Sequence, residues 1–272
     1  MSKSPKLLPL RTKYFAFTCL LGLFLSCSGF SQDSNAALPD APKPQSAGPD
    51  VVTIRDLPGN VLHDQEAIWT SPVHIRSHDL KWLIPLGLAT SSAIATDHRA
   101  LHDFISLDPS FNNPNTTVSN VLTGGFIATP VALYGVGHFT SNEHARETGL
   151  LGAESLIDGV VVEQGMKLIF WRERPSVDSG RGRFFQSSAG TDSSFPSSHT
   201  VLAWATASTI ATEYPNAWTQ ILVYSGATGV SLTRLMGQQH FPSDVLVGSA
   251  AGWLIGRYVV HHHRRWHKPI SR

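Results

Sequence analysis

Charge is scarce in this 272-residue chain: Asp, Glu, Lys and Arg together make up 15% of it, against about 25% in an average globular protein. Acids and bases nearly cancel, leaving a formal net charge of +1, so nothing in the overall charge argues for a nucleic-acid partner. From residue 109 to residue 142 there is no Asp, Glu, Lys or Arg at all. Yet the mean hydropathy is only −0.04, low for a chain dominated by membrane helices. Cysteine is almost absent. The chain has two, Cys19 and Cys27, both in a segment that reads as a secretory signal. Lys3, Lys6, Arg11 and Lys13 form a positive region, Phe15 to Leu25 a short apolar one, and Gly29-Phe30-Ser31 a small-x-small cleavage pattern. The apolar stretch is short for a membrane span of about 20 residues. Residues 1–31 are therefore expected to be a cleaved signal, and the protein to be exported, periplasmic or membrane-associated. The alternatives are an uncleaved anchor and a lipoprotein-type cleavage, which Leu25-Ser26-Cys27 faintly resembles with Phe24 where an aliphatic residue is usual. Cleavage after Ser31 leaves no cysteine, so disulfides play no part.

Residues 32–60 are rich in Pro, Ala, Ser and Asp, with Pro39, Pro42, Pro44 and Pro49 close together. This composition predicts a flexible linker. From residue 61 the pattern is helical, without short alternating strands or internal repeats. Helices are expected at about 61–70, 77–96, 116–139, 143–173, 198–213, 217–236 and 242–262. The fold class is thus all-α, a bundle of about six to seven helices, with 61–272 as the functional domain. Ser77 is a plausible N-cap. Pro85 and Pro130 threaten kinks, Pro175 ends the fourth helix, and Pro242 starts the last. Val118 to Phe139 is long enough to cross a bilayer, but Ser119, Asn120, Thr123, Thr129, Pro130 and His138 interrupt it. The preferred expectation is a buried core helix of a soluble protein, with membrane embedding as the alternative.

Three segments carry chemistry. In Lys167-Leu-Ile-Phe-Trp-Arg-Glu-Arg174-Pro175, Lys167 and Arg174 are seven apart, which on a helix places both cations on one face and suits an anion with several oxygens. Ser194-Phe-Pro-Ser197-Ser198-His199 opens an apolar helix, and such an N-terminus offers hydroxyls and free N–H groups to an anion. His199 sits beside it as a proton donor. In Thr233-Arg234-Leu-Met-Gly-Gln-Gln-His240-Phe-Pro-Ser-Asp244, the carboxylate four residues after His240 is expected to accept from one imidazole nitrogen and leave the other unprotonated and nucleophilic. Arg234 adds a further phosphate donor. Each segment alone also fits a bland reading: a snorkelling lysine, an ordinary serine cap, a capping aspartate.

In order, the three read K-x6-RP, PSSH and TR-x5-H-x3-D, and together they resemble the signature of the type 2 phosphatidic acid phosphatase superfamily. That superfamily includes bacterial acid phosphatases, membrane lipid phosphatases and vanadium haloperoxidases. The resemblance covers Lys167 to about Gly256. Two positions depart from it: Ser198 stands where glycine is usual, and Thr233 where serine is usual. The resemblance implies that His240 attacks phosphorus to form a phosphohistidine, that His199 protonates the leaving alcohol, and that Asp244 orients His240. It further implies that Lys167, Arg174, Arg234, Ser197 and the Ser198 backbone hold the phosphate oxygens, with no metal and no cofactor. The two histidine pKa values are expected to be pushed apart. The expected partner is a phosphate-ester substrate, either a soluble monoester or a lipid phosphate or diphosphate, with membrane association open. A vanadium-dependent haloperoxidase and a non-catalytic phosphate- or lipid-binding protein are the competing readings. The loop from Ser176 to Ser194, with Arg181, Arg183, Phe184 and Phe185, is expected to line the entrance. The tail with His261, His262, His263 and His267 beside Arg264, Arg265 and Lys268 reads as a solvated basic segment, with metal binding as the alternative.

Overall fold

The computed structural model describes residues 52–186 and 192–265. The signal segment, most of the expected linker, and His267 and Lys268 lie outside the described residues. Within them the chain is all α, as expected. The helices are α1 (Leu57–Thr70), α2 (Leu80–Phe104), α3 (Pro109–Thr140), α4 (Glu143–Phe170), α5 (Ser198–Glu213), α6 (Ala217–Met236) and α7 (Pro242–His263).

Most boundaries follow local chemistry. Asn142 and Asn216 cap α4 and α6 with side-chain oxygens that accept from Ala145 N–H and Thr219 N–H, satisfying first-turn donors that have no helical partner. Pro242 begins α7 as the sequence predicts. Other positions differ from expectation. α1 starts at Leu57 and Val52 is buried, so the expected boundary at residue 61 falls inside a helix. Asp79, not Ser77, is the residue preceding α2, because its carboxylate accepts the Arg76 N–H at 2.8 Å and closes a turn there. Trp171 adopts a left-handed conformation (φ 38°, ψ 54°) and ends α4 at Phe170, three residues before the predicted end.

The core lies where α5 packs against α4, α6 and α7. Leu151, Val162, Ile255, Val259 and Val260 join α4 to α7, and Ala203, Trp204, Ala207, Ala227 and Val230 join α5 to α6. The α5–α7 crossing depends on glycine. Gly248, Gly252 and Gly256 form one stripe of α7, and a Cβ on Gly252 would lie 2.3 Å from the Val201 carbonyl oxygen of α5. That approach holds the N-terminus of α5 against the first turn of α7, where the Ser197 N–H donates to the Asp244 carbonyl at 3.2 Å.

The expectation of a buried core helix fails for α3. Only 17% of its most apolar 18-residue window is buried, and the helix is long and apolar enough to cross a membrane. Val121, Val131 and Phe139 are exposed, as are Trp82, Ile84 and Leu88 on α2. A bundle surface this apolar is unlike the polar exterior that water favours.

Gly252→Ala should destabilise the bundle by about 1–3 kcal/mol, the scale of overpacking where backbone cannot yield. Gly87→Ala, at an exposed helical site with nothing within 4 Å, should stabilise it by about 0.5–1 kcal/mol. Thermal unfolding of both variants reads the contrast.

Candidate active site

The site is organised around Arg172, which sequence reasoning overlooked between Lys167 and Arg174. It lies just past α4 and is 1% exposed. One terminal nitrogen donates to Asp97 of α2 at 2.6 Å; the other donates to Ser243 at 2.6 Å and to Asp244 of α7. Its Nε donates to the Gly182 carbonyl at 3.1 Å, and its guanidinium lies against the Phe184 and Phe241 rings. Asp97 in turn accepts the Ser243 N–H at 3.0 Å and its hydroxyl. Burial raises the Asp97 carboxyl against the pull of Arg172 beside it. One cation thus ties an N-terminal helix to the segment bearing His240.

Asp244 is heavily engaged: Oδ1 accepts from Arg172, and Oδ2 accepts from the Ser194 hydroxyl and, at 2.9 Å, from the Phe241 N–H. The nearer partner of His240 is the Ser194 carbonyl and not, as expected, Asp244. His240 Nδ1 lies 3.6 Å from Asp244 Oδ2 and 2.8 Å from the Ser194 carbonyl oxygen. A carbonyl only accepts, so Nδ1 carries the proton and Nε2 keeps its lone pair. The expected tautomer is reached through a backbone oxygen, with Asp244 holding Ser194 in turn.

An open pocket of about 400 Å³ is lined by Thr116, Asn120, Arg174, Asp192, His199, Arg234 and Gln239. Three of the expected site residues, Arg174, His199 and Arg234, therefore share it. His199 Nε2 lies 3.0 Å from Asn120 Oδ1, which also accepts from Arg234 at 3.3 Å. Arg234 Nε is buried and makes no hydrogen bond. Arg174 pairs with the exposed Asp192 at 2.9 Å. Because α4 stops at Phe170, Arg174 reaches the pocket from a loop, not from the helical face it was expected to share with Lys167.

The remaining expected residues are not among those lining the pocket. Lys167 is held by Glu163 (3.1 Å) and by the Ser198 hydroxyl (2.6 Å), and that hydroxyl donates to Glu163 at 2.9 Å. Ser198 thus engages the lysine through a side chain that glycine lacks. Ser197 is buried, its N–H committed to Asp244 and its hydroxyl accepting from Thr200 at 3.0 Å. His240 is 1% exposed and follows the lining residue Gln239. The expected entrance loop also differs. Arg183 pairs with Glu173, and Phe184 packs on Phe170, Phe195 and Arg172. Of that loop's described residues, Asp192 lines the pocket.

The histidines are not pushed apart. Burial lowers His240 to about 4 against the pull of Asp244. His199 is lowered to about 3, first by burial and then by Arg234, His240, Lys167 and Arg174 around it. Burial also lowers Arg234 to about 10, with Arg174 adding repulsion. The pocket therefore gathers cations that disfavour one another and suits an anion with several oxygens.

Residues 149–268 match the family model described as the PAP2 superfamily. That stretch, 120 of the 272 residues, is similar to the PAP2 superfamily. The chain is 37% identical over 65 residues to a lipid A 1-phosphatase of Porphyromonas gingivalis, a match covering 23% of this chain and 15% of that protein. Superposition on the crystal structure of a transmembrane PAP2-type phosphatidylglycerolphosphate phosphatase from Bacillus subtilis gives a TM-score of 0.43 at 18% identity, with coverage of 76% of this chain and 95% of that one. The PAP2 segment begins within α4, so Asp97, Thr116 and Asn120 come from helices outside it. Their signals in the sequence are weak: an acid inside α2, and two polar residues in the uncharged stretch of α3.

A second ionisable cluster lies at the other end of α7. His263 is not solvated as expected but turns inward, its Nε2 2.8 Å from Asp64 Oδ1 and 3.4 Å from Glu154 Oε1. Asp64, Glu154 and His263 have the donor set and spacing to hold a metal ion. Asp158 lies one helical turn beyond Glu154 on α4. Burial raises both Glu154 and Asp158 to about 7, and the Asp64 carboxylate adds repulsion. The Asp64 hydrogen bond raises His263.

Two outcomes are expected. Arg172→Gln leaves Asp97 and Asp244 buried without a counter-charge and should cost about 3–5 kcal/mol in urea unfolding at pH 7. In the ligand-free protein His199 should stay neutral through pH 5, whereas a bound phosphate or vanadate supplies the missing anion and should raise its pKa by more than about one unit. NMR titration of the imidazole with and without vanadate measures this.

Proposed function

We propose that this protein is a metal-independent phosphatase acting on the phosphate group of an amphiphilic lipid. The observation that carries the reading is the pocket in which Arg174, Arg234 and His199 converge, next to a histidine whose tautomer is fixed by the Ser194 carbonyl. The PAP2 and lipid A 1-phosphatase similarities support the reaction class.

In this reading the phosphoryl oxygens lie against Arg174 and Arg234, with Lys167 completing the charge once its pairing with Glu163 and Ser198 is exchanged for substrate. His240 Nε2 attacks phosphorus in line with the ester oxygen. The P–O bond breaks as the N–P bond forms, and His199 gives its proton to the departing oxygen. Substrate brings the anion that raises the His199 pKa, so binding itself creates the general acid. Water then attacks the phosphohistidine, His199 accepts a proton from it, and phosphate leaves. The arginines stabilise the charge spread over the equatorial oxygens.

The lipid assignment rests on α3. Thr116 and Asn120 line the pocket, and Val118, Val121 and Leu122 on the same stretch are exposed. A phosphate in the pocket can keep its apolar tail against that face, which also suits membrane association. Export through the N-terminal segment agrees with a substrate in the envelope. The haloperoxidase reading places vanadate in the same pocket, and vanadate-dependent halide oxidation would favour it.

His240→Ala should abolish turnover of a lipid phosphate in mixed micelles, since the covalent step is lost; near wild-type turnover would sink the assignment. His199→Ala should lose about 10²–10⁴-fold on alkyl phosphates and much less on an aryl phosphate with an acidic phenol, which departs as an anion. Single-turnover kinetics make that comparison at the chemical step. Equal losses on both substrates would make His199 a binding residue instead. Initial rates at 25 °C should be unchanged by EDTA.

A further inference from the structure

The cluster of Asp64, Glu154, Asp158 and His263 takes no part in phosphate chemistry. Asp244 and His263 stand at opposite ends of α7, about 28 Å apart along its axis. The cluster joins three elements: Asp64 on α1, Glu154 and Asp158 on α4, and His263 at the end of α7. All three carboxylates have 0% residue exposure. Each has one oxygen satisfied: Asp64 Oδ1 by His263, Glu154 Oε2 by Asn60 at 3.1 Å, and Asp158 Oδ1 by Gln65 at 2.8 Å. Each also has one buried oxygen without a hydrogen bond: Asp64 Oδ2, Glu154 Oε1 and Asp158 Oδ2.

Such orphans are rare in folded proteins and demand a partner. Here three occur in one cluster beside the apolar contacts of Leu151, Val162 and Val259. Three ionised carboxylates around one imidazole leave an excess of negative charge, which either protonation or a bound cation relieves. The ligand atoms of Asp64, Glu154 and His263 all lie within 4.8 Å of one another. In a tetrahedral zinc site with bonds of about 2.0–2.1 Å, donor atoms are about 3.3 Å apart. The separation of His263 Nε2 from Glu154 Oε1, 3.4 Å, already has that value. Asn60 and Gln65 hold the outer oxygens as supporting hydrogen bonds do around bound metals.

We propose that Asp64, Glu154 and His263, with Asp158 beside them, form a structural site for a divalent transition cation of the zinc type, which fastens α1 and the end of α7 to α4. One imidazole and several carboxylates make a donor set of borderline hardness, suited to Zn²⁺ and less so to Mg²⁺, which prefers oxygen and water. The ion has no role in hydrolysis. It links the N-terminal helix to the C-terminal one.

The test uses the purified full chain, stripped with a chelator and then dialysed against Zn²⁺ or Mg²⁺. Elemental analysis should find one Zn²⁺ per chain after gel filtration, and Zn²⁺ but not Mg²⁺ should raise the thermal midpoint saturably. Glu154→Gln, nearly isosteric and relieved of one buried charge, should fold but bind Zn²⁺ at least about 100-fold more weakly, beyond what losing a supporting hydrogen bond does. Its hydrolytic rate at 25 °C should stay within about twofold of wild type, the range expected for a site remote from the chemistry. A His261→Ala/His262→Ala variant should keep the bound ion. No saturable shift in the wild type, or Zn²⁺ retained by Glu154→Gln but lost with the exposed histidines, would overturn the site. Failure of the phosphatase assays leaves the metal content and the thermal midpoint intact as tests of the site, since neither reads turnover.

Discussion

The arrangement of the active site depends on one buried cation. Arg172 is enclosed by two carboxylates, a carbonyl and two aromatic rings, and neither carboxylate can be buried as an anion without it. Asp97 reaches it from α2 and Asp244 from α7, so the guanidinium fixes their relative position. Asp244, held by Arg172, then accepts from Ser194 and from the Phe241 N–H. Ser194 presents its carbonyl to His240. The orientation of the proposed nucleophile is thus the last link of a chain that begins at a residue outside the lining of the pocket.

The same logic of charge explains the pocket. Arg174 and Arg234 reach it from different elements, and Lys167 lies near enough to repel a proton on His199. Without an anion such a set is held apart by its own repulsion. Asp192 and Glu163 relieve part of it by pairing with Arg174 and Lys167. A phosphate dianion would compete with these carboxylates for the same cations. Ser198, bridging Lys167 and Glu163, belongs to that competition, which gives the departure from glycine a physical meaning.

Much of this was legible in the sequence, for identifiable reasons. Helical periodicity places α5 and α6 to the residue, and Pro242 marks the start of α7. The three motifs named Arg174, His199, Arg234 and His240 because their chemistry is unusual at that spacing. Arg172 was hidden by standing between two more conspicuous cations. Asp97 was hidden because one acid in an amphipathic helix looks like a solvated one. His263 differs from expectation because it ends a run of three histidines, two of which do face solvent. Trp171, an aromatic residue in a left-handed conformation, has no sequence signature, and it is what moved Arg174 off the helix. α3 differs from expectation because polar residues within it suggest burial, whereas Asn120 and Thr116 line the pocket and Val118, Val121 and Val131 are exposed.

The position of Asp97 has a consequence for where this protein can be cut. The recognisable segment begins at residue 149, and sequence alone invites its treatment as a module that could be excised or grafted. Yet one of the two carboxylates neutralising Arg172 is supplied 52 residues before that boundary, and the pocket wall formed by Thr116 and Asn120 also precedes it. A fragment starting at residue 149 would keep every motif residue and lose the electrostatic closure that holds them. The heritable signature and the physically indivisible unit are different stretches of chain.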